Sequence, residues 1–220
     1  SVKFNLGKSL ITICGIAKGA GMIAPDMATM LVFILTDARI TQQALDKALR
    51  IASENSFNCI TVDGCMSTND SVMLLANAAA NNEAIDERKN FLLFSGALNM
   101  LCLELAKMIV RDAEGATKFI RIRVSSAKSF KEAKKAALAI ANSNLFKTAM
   151  YGQDPNFGRI VASVGSSGVD VDEYRLKVKV SPLKNKDISV DVSLGKGKAA
   201  AVVYTSDLTP GYIKINAAYN

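Results

Sequence analysis

The sequence predicts an α/β (α+β) protein with mixed sheets covered by helices. Three observations carry that reading. Short apolar runs rich in β-branched residues, Leu10 to Ile16 and Met27 to Thr36, read as buried strands. Between and beyond them, apolar residues recur at helical spacing, as in Ala44, Leu45, Ala48, Leu49 and Ala52. After Val169 the pattern is strand throughout.

Taken in order, Leu10–Ile16 runs into a glycine turn, Lys18-Gly19-Ala20-Gly21, and Pro25 precedes the second strand. Asp37 closes that strand, and Thr41 is placed to cap the following helix, because its hydroxyl can accept an otherwise unpaired first-turn N–H. Phe57–Val62 reads as a short strand ending at the Asp63-Gly64 turn. Asn69-Asp70 reads as the cap of a helix reaching about Ala80, and Asn81–Asn90 as a polar connection. Phe91–Arg111 is a long helix that stops near Gly115. It approaches membrane length, but Asn99, Glu104 and Lys107 within it favour a buried amphipathic helix.

Lys118–Val124 alternates Ile120, Ile122 and Val124 against Phe119, Arg121 and Arg123, the period of a half-buried strand. Ser129 starts a helix carrying Ala133, Ala136, Ala137 and Ile140 on one face. Asn144–Tyr151 fits either class. Gly152–Gly158 is a tight loop, and Arg159–Val164 a short helix. Strands are expected at Tyr174–Val180, Ile188–Val192, Ala200–Tyr204 and Tyr212–Ala217.

Composition narrows the chemistry. The chain has 220 residues and no histidine, so Ser-His-Asp triads, Cys-His dyads and most zinc sites cannot be built from it. A nucleophile must take its base from a lysine, a carboxylate or a free α-amino group. Cys14, Cys59, Cys65 and Cys102 share no metal or redox spacing. Cys14 and Cys102 sit in apolar runs and are expected to be buried, whereas Cys59 and Cys65 flank a loop and are expected to be open to solvent. The charge is +7, but the densest basic cluster, Lys128–Lys135, reads as the solvated face of a helix rather than a nucleic-acid footprint. The first residues carry no apolar core of signal-peptide length.

One segment stands out chemically: Lys18-Gly-Ala-Gly-Met-Ile-Ala-Pro-Asp-Met-Ala28-Thr29-Met-Leu31. A small residue before a threonine at the head of a strand fits an N-terminal nucleophile. The Thr29 hydroxyl would attack the Ala28 carbonyl, water would release the ester, and the new α-amino group would supply the missing base. An ordinary α-amino group titrates at roughly 8, near working pH. Strand propensity alone also accounts for a threonine there, and the Lys18 glycine turn also fits a backbone nest for an anion.

Lys18–Leu31 resembles the signature of the glutamate N-acetyltransferase (ornithine acetyltransferase) family. The resemblance continues, in family order, through Ile60–Asp70, Asp112–Lys118, Lys147–Arg159 and Tyr212–Ala217. It implies an ornithine acetyltransferase-type (DmpA/OAT-like) fold and a precursor that cuts itself between Ala28 and Thr29. The freed Thr29 would carry an acetyl group from N2-acetylornithine to glutamate, in arginine biosynthesis. By motif match, Lys18, Glu114 and Asn216 are substrate-binding residues. Lys18 suits an α-carboxylate and Glu114 an ammonium group. The Asp63–Asp70 and Asp154–Arg159 loops read as braces for the site.

The resemblance implies no metal or organic cofactor, with acetyl-CoA as an alternative acetyl donor, and no nucleic-acid or membrane partner. It places the protein in the cytoplasm, or in the mitochondrial matrix of a eukaryote. It also implies an upstream alpha chain, because family members carry a Thr-Gly block for the oxyanion hole that the 28 residues before Thr29 lack. A higher oligomer of alpha-beta pairs is expected. On that view residues 1–28 are the tail of the upstream portion, 29–125 the nucleophile-bearing α/β domain and 126–220 a smaller C-terminal α/β domain. Two rival readings are a self-processing amidase or aminopeptidase that gives the acyl group to water, and an inactive basic binding protein.

Overall fold

The computed structural model describes residues 1–24, 30–65 and 70–218. It is a mixed α/β protein whose chain divides into two compact units, Ser1–Asn58 with Cys65–Ile109, and Cys59–Gly64 with Val110–Asn220.

The first unit is built on a four-stranded sheet in the order β1-β2-β3-β4. β1 (Val2–Leu6), β2 (Ser9–Lys18) and β3 (Leu31–Thr36) run antiparallel, and β4 (Ser71–Ala76) lies parallel to β3. Strict alternation along β3 buries Val32, Ile34 and Thr36 and turns Leu31, Phe33 and Leu35 outward. Two helices belong to this unit: α1 (Gln42–Asn55) and most of α2 (Phe91–Arg111). Thr41 caps α1, its hydroxyl accepting from the Ala44 N–H at 3.3 Å. α2 covers the inner sheet face at Gly15, where a Cβ would lie 2.9 Å from the Leu105 side chain. The Phe4 and Phe94 rings meet edge to face at 6.5 Å. α2 is long and apolar enough to span a membrane, yet over half of it is buried within the protein, as a core helix would be.

The outer face of that sheet carries exposed apolar side chains. Ile16 is 71% exposed, Leu10, Leu35 and Leu75 about half, and Phe33 and Met73 about two-fifths. The pairings Cys14–Leu35, Ile16–Phe33 and Phe33–Met73 make this one continuous surface.

The second unit carries the sheet β6-β7-β5-β8. β5 (Phe119–Ala127) is parallel to β7 (Asp187–Ser193) and antiparallel to β8 (Ala199–Ser206); β6 (Lys177–Val180) is antiparallel to β7. Ile120, Ile122 and Val124 are fully buried with Ala133, Ala136, Ala137 and Ile140 of α3 (Phe130–Ala141) in one core. The alanines let the helix backbone come close to the sheet. Ser129 caps α3 through the Glu132 N–H. α4 (Asn144–Tyr151), α5 (Phe157–Ser166) and α6 (Pro210–Ala217) complete the unit.

The structure differs from the sequence expectations at several elements. Ser71–Ala76, expected in a helix, is β4: long-range pairing with β3 overrides a composition of Met, Leu and Ala that favours helix. Phe57–Val62 is not a strand but a 3-10 turn, Phe57–Cys59, followed by a single bridge from Ile60 to Tyr204. Tyr212–Ala217, expected as a strand, is helix α6: Thr209 caps it and Pro210 occupies its first turn, where a missing N–H costs nothing. Tyr174–Val180 shortens to Lys177–Val180. Two cysteines exchange roles, Cys14 lying exposed and Cys59 buried. Alternation turns Cys14 outward, and Cys59 closes the buried 3-10 turn.

Candidate functional site

In the second unit two distant segments meet through their backbones. Gly115 has φ +64, and a Cβ there would sit 2.4 Å from the Tyr212 backbone nitrogen. Only glycine allows both the conformation and the approach. The Thr209 hydroxyl seals the contact: it accepts from the Tyr212 N–H at 3.2 Å and donates to the Gly115 carbonyl at 2.6 Å.

Asp207 anchors the same junction from below. It is 3% exposed, and its carboxylate accepts from the Thr117 N–H at 2.8 Å, the Lys118 N–H at 2.9 Å and the Thr117 hydroxyl. The 112–118 turn is thereby fixed against the end of β8. The consequence appears one turn along α6. The Asn216 side-chain amide donates to Glu114 Oε2 at 2.9 Å and to the Tyr212 carbonyl at 3.1 Å. Two sequence-predicted residues from separate motif blocks therefore stand side by side, with Glu114 half-buried and Asn216 exposed.

Tyr212 ties α6 to another motif block. Its hydroxyl donates to Asp63 Oδ2 at 3.0 Å. The Asp63 turn is ordered in turn by Thr61, whose hydroxyl donates to Asn142 Oδ1 at 2.7 Å and accepts from the Gly64 N–H at 3.2 Å. Beneath this turn lies Lys147, 2% exposed, donating to the Val62 carbonyl at 2.6 Å and the Thr205 hydroxyl at 3.0 Å. Burial lowers its pKa to about 8, with the charges of Asp207 and Asp63 acting the other way.

The other predicted residues lie in the first unit. Lys18 is the exposed last residue of β2, paired with Leu31 of β3. Ala28 and Thr29 lie outside the described residues. The residue after them is anchored: the Met30 N–H donates to Asp70 Oδ1 at 2.6 Å, and the Ser71 N–H to the Met30 carbonyl at 3.0 Å. Burial raises the Asp70 carboxyl pKa, partly offset by that Met30 hydrogen bond. The sequence predicts Asp70 as a helix cap; no local signal reveals that it serves the head of a strand 40 residues earlier.

Among the described residues no three His, Cys, Asp or Glu side chains gather as a metal site. A mostly apolar cavity of about 300 Å³, lined by Met150, Phe157, Ile160, Val180 and Leu183 with Asn156 and Ser181, contains no predicted substrate-binding residue.

The chain matches the ArgJ family over residues 1–184 and 181–220. It is 47% identical to the arginine biosynthesis bifunctional protein ArgJ of Geobacter sulfurreducens, over 94% of this chain and 58% of that protein. The protein of the same name from Ruegeria pomeroyi is 46% identical over 96% of this chain and 56% of its own length. A Candida albicans protein named arginine biosynthesis bifunctional protein ArgJ, mitochondrial, is 41% identical over 99% of this chain and 57% of its own length. The chain thus spans less than three-fifths of these relatives. The crystal structure of the Bacillus halodurans arginine biosynthesis bifunctional protein argJ superposes with a TM-score of 0.82 at 35% identity, over 85% of this chain and 98% of that one.

Two outcomes follow from the geometry. Gly115→Ala should destabilise folding by more than about 2 kcal/mol in urea denaturation, from backbone strain and collision with α6. Gly96→Ala, in open space on α2, should be neutral or slightly stabilising. Lys147 gives a pH signature. The unfolded side chain keeps its proton up to 10.5, whereas the folded one releases it at about 8. Between those values the unfolded state binds the extra proton, so this group makes the fold more stable as pH rises. The urea midpoint of wild type relative to Lys147→Met should climb from pH 8 to 10.

Proposed function

Because the chain belongs to the ArgJ family, we propose that it is the nucleophile-bearing portion of an acyltransferase that moves acetyl from N2-acetylornithine to glutamate in arginine biosynthesis. The observation that carries this reading is the hydrogen bond between Asn216 and Glu114. Residues 102 positions apart, each matching a substrate-binding position of the family, are held together by a purpose-built junction.

In this reading Thr29 Oγ attacks the Ala28 carbonyl, the peptide becomes an ester, and water hydrolyses it to leave a carboxylate on Ala28 and an amine on Thr29. The mature hydroxyl then attacks the acetyl carbonyl of N2-acetylornithine. The amine takes the hydroxyl proton and returns it to the departing ornithine nitrogen. Glutamate's amine attacks the acetyl-threonine ester, N-acetylglutamate leaves, and Thr29 is restored. Lys18 is the carboxylate-binding group, and Glu114, aimed by Asn216, accepts from the substrate ammonium. No step needs a metal or an organic cofactor, and acetyl-CoA is an alternative donor.

The partner in this reading is the remaining portion of the longer relatives, supplying oxyanion donors. The exposed apolar side chains on the outer face of the first sheet support it, since a contiguous apolar patch often marks a protein contact. Higher assembly of such pairs belongs to the same proposal. So does location in the cytoplasm, or in the mitochondrial matrix of a eukaryote; the Candida relative is named mitochondrial.

The decisive measurement is the intact mass of the full-length precursor. Wild type should yield a break between Ala28 and Thr29, and Thr29→Ala should remain whole. An uncut, fully folded wild type would sink the nucleophile reading. For the substrate site, Glu114→Gln should lower kcat/KM for N2-acetylornithine by about 10- to 100-fold, mostly through KM, as loss of a charge-assisted hydrogen bond predicts. Glutamate should outcompete water as acceptor; the reverse would indicate an amidase.

A further inference from the structure

Lys147 is costly where it sits. A buried ammonium loses its hydration, and an apolar side chain would fill the volume without that loss. Its two hydrogen bonds go to neutral acceptors, the Val62 carbonyl and the Thr205 hydroxyl. The charged groups that bear on it are Asp63 and Asp207. Each of these is already engaged elsewhere, Asp63 by the Tyr212 hydroxyl and Asp207 by Thr117 and Lys118.

Those engagements trace two routes with one destination. On one, Lys147 fixes Val62, the next residue Asp63 holds Tyr212, and the Tyr212 carbonyl receives the Asn216 amide. On the other, Lys147 fixes Thr205, and two residues on Asp207 holds the turn containing Glu114. The Lys147 backbone carbonyl also accepts from the Leu208 N–H at 3.3 Å, clamping the chain as it enters the α6 cap. Thr205 passes the contact on, its hydroxyl donating to the Ala141 carbonyl at 3.3 Å.

We propose that Lys147 is the positioning residue of the Glu114–Asn216 pair, its ammonium holding the Asp63 turn and the end of β8 together so that α6 presents Asn216 to Glu114. The inference rests on the reading that this pair binds substrate. It assigns Lys147 no contact with substrate and no part in proton transfer.

The test uses the full-length precursor carrying Lys147→Met, Tyr212→Phe, or both. Lys147→Met should raise KM for N2-acetylornithine at least tenfold while kcat stays within about threefold, because positioning of a binding pair is lost and the nucleophile is untouched. Tyr212→Phe should reproduce part of the KM rise. The double variant should be no worse than Lys147→Met alone, since both changes cut one route. Hydrogen exchange of residues 210–217 should quicken in each variant, while exchange across β5 stays at the wild-type rate. Unchanged KM, an additive double variant, or unchanged exchange in α6 overturns the proposal. If Lys147→Met does not fold, Tyr212→Phe decides alone: unchanged KM and unchanged α6 exchange overturn it. A wild type that transfers no acetyl group refutes the function above, and α6 exchange then decides the role of Lys147 by itself.

Discussion

The second unit depends on a backbone contact that no side chain can enter. Gly115 meets the first turn of α6 at a distance that excludes even a methyl group. Thr209 and Asp207 satisfy the polar groups that this approach leaves inside. A buried amide or carbonyl without a partner would cost about 1–3 kcal/mol, and here Thr209 answers the Gly115 carbonyl and the Tyr212 N–H. Once it is set, the direction of α6 is set, and with it the position of a side chain on its second turn. The chemistry proposed for Glu114 is therefore a property of packing between main chains before it is a property of a carboxylate.

Absence of histidine acts as a second constraint, on mechanism. Within this chain a general base must come from a lysine, a carboxylate or an α-amine. Lys147, whose pKa burial lowers, donates two hydrogen bonds to structural acceptors. In the proposed mechanism the α-amine of Thr29 fills the role of base.

Elements whose signals are local were legible in the sequence. Thr41 and Ser129 read as caps and are caps, and the alternation around Ile120–Val124 is a half-buried strand. Elements decided at a distance were not. β4 owes its extended form to β3, and its own residues favour a helix. The Tyr212–Ala217 run alternates like a strand, but its Ile213 and Ile215 are both exposed, and the cap at Thr209-Pro210 governs instead. The candidate site divides the same way. Motif resemblance points to Lys18, Glu114 and Asn216, and of these the structure brings Glu114 and Asn216 together. The contacts of Asp70 and Lys147 are not legible in the sequence, because their partners, Met30 and Val62, are 40 and 85 residues away.

The first sheet has one further consequence, for its cysteines. Cys14 faces outward among the exposed apolar residues. In the same unit Cys102 is buried on α2, its thiol pushed up to about 12 by burial. One is open to reagents and the other is silent. The protein therefore carries an internal gauge of its own surface: alkylation at Cys14, referenced to inert Cys102, reports whether that face is bare or occupied in any preparation.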